Sequence, residues 1–176
     1  AIAPPSGHLS DRLQFLGVPT VPFTVRSPSG TRRADSDLVS DLQSVVALLQ
    51  PNILHANSLS MSRLSGRLAR RTGRPTTGHL RDILNLSAAA LDDINANRRL
   101  LAVSHATRDH HVDAGLDPDR TRVVYNGIDP AQFRNPVRPA GWLKRELKIP
   151  RPGLLVATIG QIGLRKALDV LAEAAT

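Results

Sequence analysis

"TRVVYNGIDPAQF", residues 121–133, is the stretch whose reading decides the fold. A β-branched apolar run, Val123 and Val124, stops at Asn126-Gly127 and gives way to an acid, a proline and a phenylalanine. A two-residue Asn-Gly hairpin needs another alternating apolar run immediately after the turn. Pro130 and the polar residues around it deny one. The strand therefore ends at a corner that serves some purpose other than reversing a sheet.

Working outward, short apolar runs alternate with helical stripes. Leu9, Leu13 and Leu16 share a helical face that Gly17 ends. "TVPFTV" (20–25) reads as a strand, and Pro22 gives it an edge position. Leu38, Leu42, Val45, Val46 and Leu49 make a strong helical stripe, with Asp35, Ser36 or Asp37 as its cap and Pro51 as its stop. "NILHA" (52–56) is a short buried strand, followed by a helix from about Leu59 to Arg71 that turns Met61, Leu64 and Leu68 inward. "PTTGH" (75–79) is the next strand, then a helix around Ser87 to Asn97. "LLAV" (100–103) leads into a helix capped by Ser104 and ended by Gly115. Strands alternating with helices imply right-handed crossovers and a mostly parallel, doubly wound α/β sheet.

Beyond Phe133 the character changes. Residues 136–153 hold Pro136, Pro139, Pro150 and Pro152 around one short helix, and read as a connector between domains. "GLLVATIG" (153–160) then reads as a fresh buried strand feeding a helix over "RKALDVLAEAA" (165–175).

Composition narrows the classes. Hydrophobic content is 41% but aromatic content only 3%, so the core rests on Leu, Val, Ile and Ala. No apolar run approaches the ~20 residues of a membrane-spanning helix, and "AIAPPSGHLSDRL" (1–13) lacks the charged and apolar regions of a signal peptide. The absence of cysteine removes thiolate chemistry and fits a reducing compartment. Twenty-three Lys and Arg against 15 Asp and Glu give a net charge of +8, a field that favours anionic partners without choosing among them.

In a doubly wound sheet, ligands sit beyond the carboxyl ends of the strands. That rule selects His55-Ala56-Asn57-Ser58, His79-Leu80-Arg81-Asp82, Ser104-His105, Asn126-Gly127 and Gly160-Gln161. His79 is the sharpest of these. Directly after a strand, with Arg81 and Asp82 close behind, it suits a sugar hydroxyl or a developing charge, and Arg81 suits a phosphate or carboxylate. The plain alternative is a loop histidine bonded to backbone beside a local Arg81–Asp82 pair.

His105, His110 and His111 are separated by 5 and 1 residues. Helical ligand pairs lie three or four apart, so no metal site is expected. Arg63, Arg67, Arg70, Arg71 and Arg74 share one helical face. The simple reading is the charged outer face of a crossover helix; a nucleic-acid or membrane-surface stripe is the alternative. "GQIGLRKA" (160–167) fails both the dinucleotide and the P-loop fingerprints. Even so, backbone N–H groups at a helix start beside Lys166 suit a diphosphate.

Taken in order, "ILHANSLSMSRLSGRLARRTGRP" (53–75), "GHLRDI" (78–83), "LLAVSHATRDHHVDAGL" (100–116), "TRVVYNGIDPAQF" (121–133) and "ATIGQIGLRKALDVLAEAA" (157–175) resemble the family-4 retaining glycosyltransferases of GT-B architecture. The resemblance implies a Rossmann-like parallel sheet with flanking helices: an incomplete N-terminal GT-B domain over residues 1–135, the connector over 136–153, and the first βα unit of the C-terminal, nucleotide-sugar domain over 154–176. The Asn126-Gly127 corner would close the first domain and face the cleft. Both residues tolerate the left-handed backbone that a turn beside a ligand can need.

By the same resemblance, His79 is the histidine near the transferring sugar. His55, Asn57, Arg81, Asp82, Asn126 and Gly127 line the acceptor side of the cleft, and Gly160, Gln161, Arg165 and Lys166 hold the donor diphosphate. The donor is a nucleotide-diphosphate sugar, transferred with retention of configuration by a hexosyltransferase-type enzyme. No metal or other cofactor is expected, because fixed positive charge and helix N-termini stabilise the leaving diphosphate. Partners would be a nucleotide sugar and a glycan, lipid-linked or small-molecule acceptor, with no nucleic acid. The expected location is cytoplasmic, with peripheral contact at the inner face of a membrane left open.

Three departures stand out. Gln161 occupies a position where the family usually has Arg, and Ala167 one where Gly is usual. Only two glutamates occur, Glu146 and Glu173, so no E-x7-E donor element is present. About one βαβ unit, on the order of 30 residues, is expected ahead of residue 1. The chain is thus expected to be a fragment that does not transfer sugar alone, with strand 154–159 left to swap between chains or self-associate. The competing readings are a basic nucleic-acid-binding α/β module, and a non-catalytic relative of these transferases.

Overall fold

The computed structural model describes residues 1–134, 138–150, 152–163 and 166–175. They form two compact units, Ala1–Gly127 and Ile128–Thr176.

In the first unit, β1 (Ile2–Ala3), α1 (His8–Phe15), β2 (Val21–Pro22), α2 (Asp35–Leu49), β3 (Leu54–Ala56), α3 (Leu59–Thr72), β4 (Thr76–Leu80), α4 (Ala88–Asn95), β5 (Arg99–Ala102), α5 (His105–Asp113) and β6 (Thr121–Val123) follow one another. β3, β4, β5 and β6 make one sheet in chain order, every pair parallel. β1 and β2 make a second, two-stranded parallel sheet. The α/β parallel architecture expected from the alternating pattern is present.

Register explains which residues face the helices. Thr76, Gly78 and Leu80 of β4 are buried, aligned with Leu54 and Ala56 on one side and with Leu100 and Ala102 on the other. The alternate residues His55, Thr77, His79, Leu101 and Arg122 line the opposite, more open face. Leu59 of α3 and Ile94 of α4 join Leu80, Leu100, Ala102 and Leu116 in one core. Leu38, Val39, Leu42 and Val46 of α2 meet Leu64 and Leu68 of α3 in another. Each fully buried leucine contributes about 1.5–3 kcal/mol.

Serine caps start the crossover helices. Ser58, Ser87 and Ser104 accept hydrogen bonds from the N–H groups of Met61, Ala90 and Thr107. α3 and α4 approach closely at Gly66, where a Cβ would stand 1.8 Å from the carbonyl oxygen of Asp93. Ser65 Oγ donates to Asn97 Oδ1 at 2.7 Å, and Asn97 Nδ2 donates to the Ser62 carbonyl at 2.8 Å, so the buried Ser65 and Asn97 side chains are paired.

Some local expectations are corrected. α2 starts after Ala34 with no side-chain cap, so neither Asp35, Ser36 nor Asp37 caps it. The Leu9, Leu13 and Leu16 face of α1 is not buried. β1–β2 and β3–β6 are separate sheets, and Ile2 and Ala3 of β1 and Leu54 to Ala56 of β3 all line one apolar cavity of about 620 Å³.

The second unit holds a 3-10 turn (Pro130–Phe133), α6 (Trp142–Glu146) and α7 (Leu168–Glu173). The strand expected over 154–159 does not form. Leu154, Val156 and Ile159 are 84%, 69% and 101% exposed. The physical reason is pairing: among the described residues of that unit no strand offers a ladder, and a β conformation without one leaves its backbone groups to water.

Candidate functional site

The sheet's open face gathers the titratable residues. Thr77 and His79 point to it from β4, and His55 aligns with Thr77 across the β3–β4 ladder. His55 Nδ1 and Thr77 Oγ1 are 2.7 Å apart, and the His55 and His79 ring centroids are 5.8 Å apart. Asn57, one residue past β3, accepts at Oδ1 from His79 Nδ1 at 3.3 Å and from Arg81 Nη1 at 3.4 Å. His55, Asn57, His79 and Arg81 therefore form one cluster at the carboxyl ends of β3 and β4.

His79, the last residue of the strand read over 75–79, lies one residue inside the end of β4, because the ladder to β5 continues through Leu80. β3 ends at Ala56, opposite Gly78, so the His79 N–H outruns that ladder. Ser62 of α3 takes its place. Its Oγ accepts the His79 N–H at 3.0 Å and donates to the Ser58 carbonyl at 2.8 Å. Gly78 makes this approach feasible, since a Cβ there would stand 2.7 Å from Ser62 Oγ. Ser62 and Thr77 were not singled out in the sequence. The readable signal was the Ser58/Ser62 pair, four apart at a helix start.

Electrostatics fix the state of His79. Burial, then the charge of Arg81, then that of His55, push its pKa below the usual 6.5, so it is neutral at physiological pH. With Asn57 Oδ1 accepting from it, Nδ1 carries the proton and Nε2 presents a lone pair. Nε2 is buried and has no partner. A lone pair in that condition is completed by a donor such as a hydroxyl.

The loop after β4 is held from α5. His111 Nε2 donates to the Asp82 carbonyl at 2.9 Å, and His110 Nε2 to the Leu84 carbonyl at 3.2 Å. These histidines are structural pins, and among the described residues no group of three His, Cys, Asp or Glu could hold a metal ion.

Other expected residues are not drawn into the cluster. Among the described residues, Asn126 and Gly127 make no hydrogen bond to it. Neither has a positive φ, so the corner does not use left-handed backbone. Chain direction alone puts them past β6, on the same carboxyl edge as His79.

In the second unit, Gly160 and Lys166 share a turn. A Cβ at Gly160 would meet Lys166 Cγ at 3.8 Å, and Lys166 N–H donates to the Gly163 carbonyl at 3.0 Å. Gln161 is exposed beside them, and Arg165 lies outside the described residues. Ala167 caps α7 with φ 49, the left-handed region that glycine occupies at no steric cost.

The arginine face of α3 is not a free outer face. Asp93, 8% exposed, receives Arg67 Nε at 2.9 Å and Arg63 Nη2 at 3.2 Å, while Arg70 pairs with Asp92 at 2.9 Å. Three of its cations are thus committed to α4.

Residues 2–132 match the model of Glycosyltransferase Family 4, and the chain belongs to that family. Among solved structures, it is similar to HepE (Alr3699) of Anabaena in complex with UDP, at 22% identity and TM-score 0.62, covering 81% of this chain and 40% of that one. The same protein with UDP-glucose matches at 21% identity, TM-score 0.61 and the same coverage. A glycosyltransferase from Rickettsia africae ESF-5 matches at 14% identity and TM-score 0.63, covering 85% of this chain and 41% of that one. The chain thus spans about 40% of the length of these structures. No curated protein matches. No helix is long and apolar enough to cross a membrane among the described residues.

Proposed function

We propose that this chain supplies the acceptor-side half of a glycosyltransferase that moves a hexose from a nucleotide-diphosphate sugar to an acceptor hydroxyl with retention of configuration. The observation that carries the reading is the buried, unpaired Nε2 of His79 at the carboxyl edge of a parallel sheet in a family-4 chain. His79 would accept a hydrogen bond from a substrate hydroxyl, Asn57 would hold its tautomer, and Arg81 would add positive charge near a developing anion. Gly160, Gln161, Arg165 and Lys166 are proposed for the donor diphosphate, with protein charge in place of a metal ion. HepE was solved with UDP and with UDP-glucose, which makes a uridine diphosphate sugar the first donor to try.

The polypeptide as given is proposed not to turn over, since its two glutamates do not form an E-x7-E pair. The test joins residues 1–127 to the donor domain of HepE and follows glucose transfer from UDP-glucose. The expected result is turnover that falls at least ~100-fold in His79→Ala. A folded chimera that binds UDP-glucose and turns over equally well with either residue would sink the role of His79. Transfer by the unextended chain would sink the claim of inactivity.

A further inference from the structure

A second charged site lies at the amino ends of the strands, away from His79. A cavity of about 670 Å³ opens where α3 and α4 end and β4 and β5 begin. Arg70, Arg74, Arg98, Arg99 and Arg120 line it, against one lining carboxylate, Asp92. Two of these guanidiniums have carboxylate partners, Arg70 in Asp92 and Asp93 and Arg120 in Asp117, which leaves Arg74, Arg98 and Arg99 as charges round the concavity that repel one another unless an anion is present.

Part of this cluster has a structural explanation. Arg70 Nη2 donates to the Asp92 carbonyl, Arg74 Nη1 to the Pro51 carbonyl and Arg120 Nη1 to the Asn95 carbonyl. Cations at helix C-termini complement the negative end of the dipole, and these contacts are of that kind. Arg98 and Arg99 are different. Both are exposed, they are adjacent in sequence, and among the described residues their side chains make no hydrogen bond or ion pair. No helix end or carboxylate accounts for them.

We propose that this cavity binds a phosphorylated anion of at least two negative charges, with Arg98 and Arg99 as its main contacts and Arg70, Arg74 and Arg120 supplying background field. A guanidinium offers paired donors in a fixed fork that matches phosphate oxygens. The site is distinct from the strand-end cluster, because the strands run away from it: Thr76 and Arg99 open β4 and β5, and His79 lies near the far end of β4. The shared chemistry fits a soluble phosphorylated metabolite or a phospholipid headgroup, and the experiment separates them.

Inorganic pyrophosphate is titrated calorimetrically into the chain at low and at moderate salt, alongside flotation with phosphatidylcholine vesicles with and without phosphatidylglycerol. Three proteins are compared: the unaltered chain, Arg98→Ala/Arg99→Ala, and His79→Ala. Since Arg98 and Arg99 are exposed, the double variant keeps its thermal midpoint, which is checked first. Pyrophosphate binding that weakens with salt, drops at least ~10-fold in the double variant and persists in His79→Ala supports the proposal with a soluble ligand. No pyrophosphate binding, but flotation with anionic vesicles that the double variant loses, supports it with a headgroup. Binding equal in the double variant, binding lost in His79→Ala, or no binding in either arm overturns it.

Discussion

β4 and residues 154–159 read in opposite ways and fold in opposite ways. "TTGHL" has two threonines, a glycine and a histidine among its five residues, yet it is laddered on both edges, to β3 and to β5. "LLVATI" is apolar at every position but Thr158, yet it stays unpaired and largely exposed. The difference is context: β4 has two neighbouring strands and a helix, α3, whose Ser62 completes its last N–H. Strand propensity measures how a side chain fits a pleated, half-buried surface, and residues 154–159 have no such surface among the described residues of their unit.

The largest effect that tests this contrast is a paired truncation. Leu100→Ala removes a fully buried core side chain and is expected to cost about 2–5 kcal/mol in urea unfolding. Leu154→Ala, at an 84% exposed position, is expected to change stability by less than about 0.5 kcal/mol. A comparable loss from both would mean that residues 154–159 are packed after all. Gly66→Ala comes next. A new Cβ at 1.8 Å from the Asp93 oxygen forces α3 off α4, at about 1–3 kcal/mol or more. An unchanged midpoint would refute the close crossing.

Ala167→Gly should act in the other direction. Relief of the left-handed φ at the α7 cap is expected to gain about 1 kcal/mol, read as slower amide exchange over Leu168–Glu173. The smallest effect is in pH. His79 has its folded pKa lowered below 6.5, so its contribution to stability is complete above that pH and declines as pH falls below it. His79→Asn should flatten that part of the stability profile; an unchanged slope would assign it to another group.

The parallel sheet, the order of its elements and the Ser104 cap of α5 were legible, because strand and helix periods alternate cleanly through residues 52–123; the Ser58 and Ser87 caps of α3 and α4 were found only in the structure. His55, Asn57, His79 and Arg81 were legible as strand-end residues. Their convergence on one face was not, since it depends on the register of β3 against β4 and on β4 continuing through Leu80, one residue past the strand read over 75–79. Ser62 was hidden for the same reason, as its partner is a backbone N–H 17 residues away. The arginines of α3 were legible as a face but not as ligands of Asp93, which requires the α3–α4 crossing at Gly66. Residues 154–159 misled because apolar content carries no information about neighbours.

The two histidine pins on α5 have a consequence for timescale. With the Asp82 and Leu84 carbonyls fastened to successive residues of a helix, the segment that follows His79 cannot swing as an independent flap. Adjustment around a visiting hydroxyl is left to side-chain rotamers of Arg81 and Asn57, which hop in picoseconds to nanoseconds, far faster than a backbone lid. Encounter at this edge would then be paced by diffusion, not by a local gate.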